Sequence, residues 1–316
     1  MDIQQKIKQN IPLAPLTTFK IGGPAKFFIE IKSKEDLAEA YEWAKKEKQA
    51  VFILGGGSNL LINDQGVDGL VIKMKNDEIK VQGGRLNCGA GAILSEAVRL
   101  SISHNLSGLE WAQGIPQATI GGTIRGNAGA FGEETKDIVE TVEVFNIKRK
   151  NFKIFSNKDC KFEYRGSVFK KDNNLLVWNA ILRLHQAKLK EIDKKSDVCM
   201  TRRNQVQPKL PSAGCVFKNL LIEDLRQASQ YVAERAEEEG VVKGGKIGVG
   251  WLIDLAGLKG KNIGGAKVSL EHANYIVNTG KATAEDVIML ISYIKQQIRT
   301  KFKVQLQEEV QYLGFD

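Results

Sequence analysis

The sequence predicts an α/β chain, mixed α+β in character, folded into more than one domain. Three observations carry that prediction. Its 316 residues exceed what one hydrophobic core ordinarily serves, so two or three domains are expected. Strand and helix patterns alternate over the first 75 residues, strands predominate through the middle, and helix patterns dominate the last third. Glycine clusters stand at the ends of apolar runs, where the chain must turn.

Residues 10–24, NIPLAPLTTFKIGGP, combine prolines, threonines and a Gly-Gly pair and read as an extended segment. KFFIEIK (26–32) alternates as a strand does. Ser33 followed by Asp36 forms a capping-box-like start for a helix over 36–49. VFILGGGSNLLI (51–62) is a buried strand running into a glycine turn, and GLVIKM (69–74) is another strand. From Glu78 to Cys88 the chain alternates about a Gly83-Gly84 hairpin. An amphipathic helix follows over 94–105, then strands near 139–147, 152–156 and 176–184. In the last third, a long helix is expected over 221–239, acidic towards its end and exposed. A short helix begins near 250, and Thr283 with Asp286 caps a final one. VQLQEEVQYLG (304–314) reads as a strand returning to the earlier body.

Two glycine-rich stretches carry the functional signal. Residues 108–132, GLEWAQGIPQATIGGTIRGNAGAFG, hold seven glycines and only two charged side chains, Glu110 and Arg125. A solvent loop would be more polar, and a buried strand or helix would hold fewer glycines. Such backbone suits close approach to something flat or anionic, with N–H groups free to donate. Tight turns at a packed junction would need the same composition. GGGSN (55–59) lacks the Lys-Ser/Thr of a P-loop, and GAGAIL (89–94) ends in Leu94 where a dinucleotide fingerprint needs glycine or alanine. Read alone, 55–59 is as much a strand-to-helix turn as a pyrophosphate cradle.

Composition excludes several classes. Nothing resembles a signal region, and no apolar run approaches the roughly 20 residues of a membrane span. A cytoplasmic protein without membrane insertion is expected. The formal charge of +9 is spread along the chain without a nucleic-acid motif, so no nucleic-acid partner is expected. Cys88, Cys160, Cys199 and Cys215 form no CxxC pair, and with three histidines there is little material for a metal site. Free thiols and no metal follow. No coiled coil or long apolar face is visible, which leaves the oligomeric state open, a monomer being the simplest expectation.

Taken together, the segments TTFKIGGPA (17–25), LGGGSNLL (54–61), GLEWAQGIP with IGGTIRGNAGAFG, FEYRGSVF (162–169), PSAGCVFKN (211–219), WLIDLAGLKGKNIGGAKVS, HANYIVN (272–278) and EEV (308–310) resemble the UDP-N-acetylenolpyruvoylglucosamine reductase family in order over nearly the whole chain. The short connection after Tyr164-Arg165 resembles its second type. The resemblance implies a vanillyl-alcohol-oxidase (PCMH-type) FAD-binding fold of two subdomains, 1–75 and 76–198, with a C-terminal α/β substrate-binding domain, 199–316. It implies non-covalent FAD held by Gly55, Gly56, Gly57, Ser58, Asn59, Gly114, Ile115, Pro116, Gly121, Gly122, Asn127 and Gly129. Neither glycine segment contains a histidine for covalent attachment.

The implied reaction passes hydride from NADPH through FAD to the methylene carbon of an enolpyruvyl nucleotide sugar, giving UDP-N-acetylmuramate for peptidoglycan. Charge then builds beside the substrate carboxylate and a carbon must be protonated. By motif match Arg165 is the carboxylate's electrostatic partner and Glu309 its helper. Read without the family, Arg165 could be a surface residue and Glu309 an exposed strand-edge carboxylate. The family commonly has serine where this chain has Cys215; an ordinary thiol, of pKa near ~8.5, is protonated at neutral pH and is the stronger acid. Tyr164, Gln207 and Asn219 match substrate-side positions. Two departures stand out: GIPQATIGG is one residue longer than the usual turn, and the helix near 221–239 looks inserted. The rivals are an oxidase of alcohols or lactones with the same fold, and a basic nucleotide- or nucleic-acid-binding protein without catalysis.

Overall fold

The computed structural model describes residues 3–315. The chain forms two compact units that interleave along the sequence. The first comprises the residues up to Ile11, Ala25–Gly57 and Asp68–Asn204; the second comprises Pro12–Pro24, Ser58–Val67 and the chain from Gln205 onward. Each unit has its own apolar core.

In the first unit a four-stranded sheet runs in the order Lys8–Pro12, Pro24–Ile31, Val67–Met74, Val51–Leu54, the last two being parallel. Helix Lys34–Lys46 follows the second of these strands. Its start is set by Ser33, whose hydroxyl accepts the Asp36 amide at 3.1 Å. Leu37, Ala40 and Ala44 form its buried stripe, at the spacing a helix face requires. A five-stranded antiparallel sheet comes next, in the order Asn151–Ser156, Val139–Asn146, Leu175–Arg183, Arg85–Gly89, Ile79–Gln82. The predicted hairpin is present, with Gly83 in the left-handed region at φ 58°.

Helix Leu189–Val206 was not expected from the pattern. Its buried residues are Ile192, Ser196 and Cys199, only one of them a large hydrophobe, so the periodic signal is weak although the spacing is helical.

The second unit is built on an antiparallel sheet ordered Ser212–Cys215, Tyr275–Asn278, Ala266–Val268, Asn262–Ile263. Helix Ala284–Phe302 buries Val287, Leu290, Ile291, Ile294 and Ile298 in the same core, each worth about 1.5–3 kcal/mol of apolar transfer before chain entropy is counted. Thr283 and Asp286 make the predicted reciprocal capping box. Asp64 adds a second cap, accepting the Ala284 amide at 2.8 Å.

Three expectations need correction here. The single helix over 221–239 is two, Ile222–Ala228 and Gln230–Glu238, because Ser229 takes an extended conformation (φ −159°, ψ 99°). Those helices are also not mere surface: Leu225, Ala233 and Ala236 are fully buried in the unit's core. The closing strand shrinks to Gln311–Leu313, which pairs in parallel with Leu60–Ile62. Residues 10–24 are extended only in part, since Ala14–Leu16 form a 3-10 turn.

Candidate active site

The two glycine-rich stretches meet inside the first unit. A Cβ on Gly56 would overlap the Gln117 carbonyl oxygen, and one on Gly55 would lie 2.6 Å from Thr119 Oγ1. The backbones therefore touch without intervening side chains, and glycine is required by the space. Gln117, in the turn before Thr119, sits in the left-handed region at φ 53°. The stretch is anchored to the five-stranded sheet's margin, with the Leu94 amide donating to Ala118 O at 2.8 Å and the Gly121 amide to Ala90 O at 2.9 Å. Thr119 caps the short helix Ile120–Gly126, accepting the Gly122 amide at 3.4 Å.

An FAD requires bare backbone for its diphosphate and polar partners for its ring, and this stretch offers both. Thr123 Oγ1 and Gln113 Oε1 are buried with no hydrogen-bond partner among the described residues. A Cβ on Gly126 would meet open space. The residues fit the cofactor. Ile115 is half-buried; Gly114, Pro116 and Gly122 are exposed. Ser58 and Asn59 belong to the second unit, at the start of its Ser58–Val67 segment.

Tyr164 and Arg165 are the two tip residues of a tight turn, because Glu163 and Gly166 exchange backbone hydrogen bonds of 3.0 and 3.1 Å. Arg165 has φ 54°, a region non-glycine residues rarely occupy. Such strain costs on the order of 1–3 kcal/mol and collects at functional positions. Several bonds hold the turn to the glycine-rich stretch. Arg165 Nη2 donates to Gly129 O at 2.9 Å, Ser167 Oγ to Arg125 O at 2.8 Å, and Asn127 Nδ2 to Glu163 O at 2.9 Å. Asn127 is fully buried; it also donates to Glu134 Oε2 at 3.0 Å and accepts the Lys136 amide at 2.9 Å. Both of its amide hydrogens serve the protein itself. The Arg165 guanidinium lies 5.1 Å from the Tyr164 ring centre.

Cys215 and Glu309 come together in the second unit. Cys215 ends the strand Ser212–Cys215, opposite Tyr275. The Glu309 amide donates to Val216 O at 2.7 Å, and Phe217 bridges Glu308. Asn59 reaches the same segment, its Nδ2 donating to Glu309 O at 3.1 Å. Gln207 Nε2 donates to the Tyr275 hydroxyl at 3.4 Å, which brings that predicted substrate residue beside the strand partner of Cys215. Asn219 follows the turn and is exposed. Among the cysteines, Cys215 alone is not buried. Burial pushes the Cys88 and Cys160 thiols up to about 12, so those two are inert.

Sequence reasoning missed Asn274. It is 2 % exposed and clamps Phe217 from both sides, accepting the Phe217 amide at 3.0 Å and donating to Phe217 O at 2.8 Å. Its own carbonyl takes the Val216 amide at 2.8 Å. The available signal was an asparagine inside the apolar run ANYIV.

The paired glycine turns and the mixed sheet are those of a flavoprotein with an FAD-binding domain. Residues 25–148 match the model of an FAD binding domain, and residues 207–313 match that of the UDP-N-acetylenolpyruvoylglucosamine reductase C-terminal domain. The UDP-N-acetylenolpyruvoylglucosamine reductase of Caldanaerobacter subterraneus subsp. tengcongensis is 39% identical over 98% of this chain and 94% of its own length. That of Carboxydothermus hydrogenoformans is 38% identical over 99% and 95%. The crystal structure of the reductase from Thermus caldophilus superposes with a TM-score of 0.78 at 31% identity, covering 97% of this chain and 99% of that one. The chain belongs to the UDP-N-acetylenolpyruvoylglucosamine reductase family.

Proposed function

We propose that Arg165, Cys215 and Glu309 carry the chemistry on substrate, while the turns at 55–59 and 114–129 hold the cofactor. As a family member the chain is an FAD-dependent oxidoreductase that uses NADPH to reduce UDP-N-acetylglucosamine enolpyruvate to UDP-N-acetylmuramate, a step of peptidoglycan synthesis. FAD, when bound, supplies the hydride relay between NADPH and substrate. Gly55, Gly56, Gly57 and Ser58 would hold its diphosphate; Gly114, Ile115, Pro116, Gly121, Gly122 and Gly129 would line the rest. Asn127 contributes by fixing the Tyr164-Arg165 turn.

Arg165 balances the charge that gathers on the substrate carboxylate, where a fixed guanidinium acts without reorganising. Cys215 gives its proton to the carbon beside that carboxylate. Glu309 helps to hold the developing charge, and Tyr164, Gln207 and Asn219 orient the nucleotide sugar. In this reading 1–75 and 76–198 serve FAD, and 199–316 serves substrate. This reading places the reaction in the cytoplasm and leaves the oligomeric state open. Separately, no helix among the described residues is long and apolar enough to cross a membrane.

The observation that supports this assignment best is the Glu309 amide on Val216 O, which ties the EEV segment to the Cys215 turn. Anaerobic reduction by NADPH followed by addition of the enolpyruvyl nucleotide tests it. Rapid reoxidation by the nucleotide is expected. Reoxidation by oxygen alone would instead favour an oxidase.

A further inference from the structure

Strand Val67–Met74 lies between Pro24–Ile31 and Val51–Leu54, and Lys73 pairs in register with Leu54, the last residue before the glycine turn. The Lys73 ammonium donates to the Gly55 carbonyl. In a trans peptide the carbonyl oxygen and the next N–H point in opposite directions, so fixing Gly55 O aims the Gly56 N–H away from Lys73. Gly56 and Gly57 are themselves buried. The Gln117 carbonyl closes the other side of Gly56, so its peptide has little freedom beyond what Lys73 allows.

The charge on Lys73 is poorly compensated. Burial, and then Lys75 just beyond the strand's end, lower its pKa to about 8, while Glu30 on the neighbouring strand opposes them. Strand Val51–Leu54 on its other side and the 117–119 turn bring no titratable side chain. A half-buried cation with one carboxylate and a second lysine for company favours an added anion.

We propose that Lys73 is a further positioning residue for the cofactor: through the Gly55 carbonyl it locks the 55–57 turn in the form that receives a diphosphate, and its charge draws that anion to the turn. The proposal rests on 55–57 being part of the FAD cradle. An anion nearby raises the ammonium's pKa, so binding takes up a proton above about pH 8 and affinity falls as pH rises past that point.

The test is the affinity of flavin-free protein for FAD, read by fluorescence quenching from pH 7 to 9.5. Wild type should bind roughly tenfold more weakly at pH 9.5 than at pH 7. Lys73→Met should lose about tenfold or more at pH 7 and show no fall on raising the pH. Lys73→Arg should keep the donor and its charge and flatten the profile, because guanidinium does not titrate in this range. A Lys73→Met protein that binds as tightly as wild type overturns the proposal. So does a Lys73→Arg profile that matches wild type, and this comparison decides if the methionine variant does not fold. Folded Gly56→Ala protein serves as the control: if it keeps full FAD affinity, the cradle reading itself fails, independently of Lys73.

Discussion

The Glu309 amide donates to the Val216 carbonyl at 2.7 Å, so the late acidic segment and the Cys215 turn are one piece of backbone. Asn274 holds the other side of that piece through two hydrogen bonds to Phe217. Asn274→Ala would strand a buried N–H and a buried C=O, at a cost of about 1–3 kcal/mol each before relaxation. Urea unfolding should register the loss. Stopped-flow kinetics should find substrate-dependent reoxidation slowed and NADPH-dependent reduction unchanged.

Cys215 variants separate proton donation from everything else. Cys215→Ser keeps a donor and should retain appreciable turnover. Cys215→Ala should slow the nucleotide half-reaction by roughly 10²–10⁴ with flavin reduction intact. Full turnover in the alanine protein would remove Cys215 from the mechanism.

Arg165 combines a left-handed backbone with a guanidinium bound to Gly129 O. Loss of a preorganised charge partner costs on the order of 10²–10³ in rate. Arg165→Ala should show that loss in the second half-reaction. Arg165→Lys should recover only part, since an ammonium lacks the planar fork that meets a carboxylate.

Gln117 occupies φ 53° in the turn that meets Gly56. Left-handed backbone costs a side-chain-bearing residue about 1–2 kcal/mol relative to glycine, partly offset by the freer unfolded chain. Gln117→Gly should therefore raise the melting temperature slightly and leave FAD content unchanged, because the Gln117 carbonyl, not its side chain, faces Gly56.

Glu140 links Arg183 and Arg85, whose hydrogen bonds hold its carboxyl down to about 2. In the unfolded chain an ordinary glutamate titrates near ~4.3. The stabilisation is thus complete above that value and is lost as pH falls towards 2. Stability measured between pH 6 and 3 should fall less steeply in Glu140→Gln than in wild type.

Much of this was legible because short-range chemistry decides it. Ser33 with Asp36, Thr283 with Asp286 and the Gly83-Gly84 hairpin are local, and the structure keeps all three. Two runs of glycine pointed to close backbone approach to a ligand, whereas the meeting of Gly56 with Gln117 had no such signal. Other features leave no local trace. Helix Leu189–Val206 hides behind a stripe of Ile192, Ser196 and Cys199, and the break falls at Ser229, between the buried Leu225 and Ala233, without a proline or glycine to mark it. The Tyr164-Arg165 turn is tied down by Asn127 and Gly129, which lie some 36 residues earlier. Asn274 stands out only as an asparagine inside the apolar run ANYIV, and nothing near it in the sequence reveals that Phe217 is its partner.

The pairing of Gln311–Leu313 with Leu60–Ile62 bears on synthesis and refolding. Asn59 and Glu309, joined there, stand 250 positions apart. Phe19, Ile21 and Leu61 belong to the core that is otherwise built from residues after Gln205. On the ribosome these early hydrophobes emerge long before their partners, so the second unit cannot close until Gln311–Leu313 has been made. Contacts this distant in sequence form slowly. Chains stopped before Gln311 would leave strand Leu60–Ile62 open along one edge, which makes nascent fragments a target for chaperones and proteases.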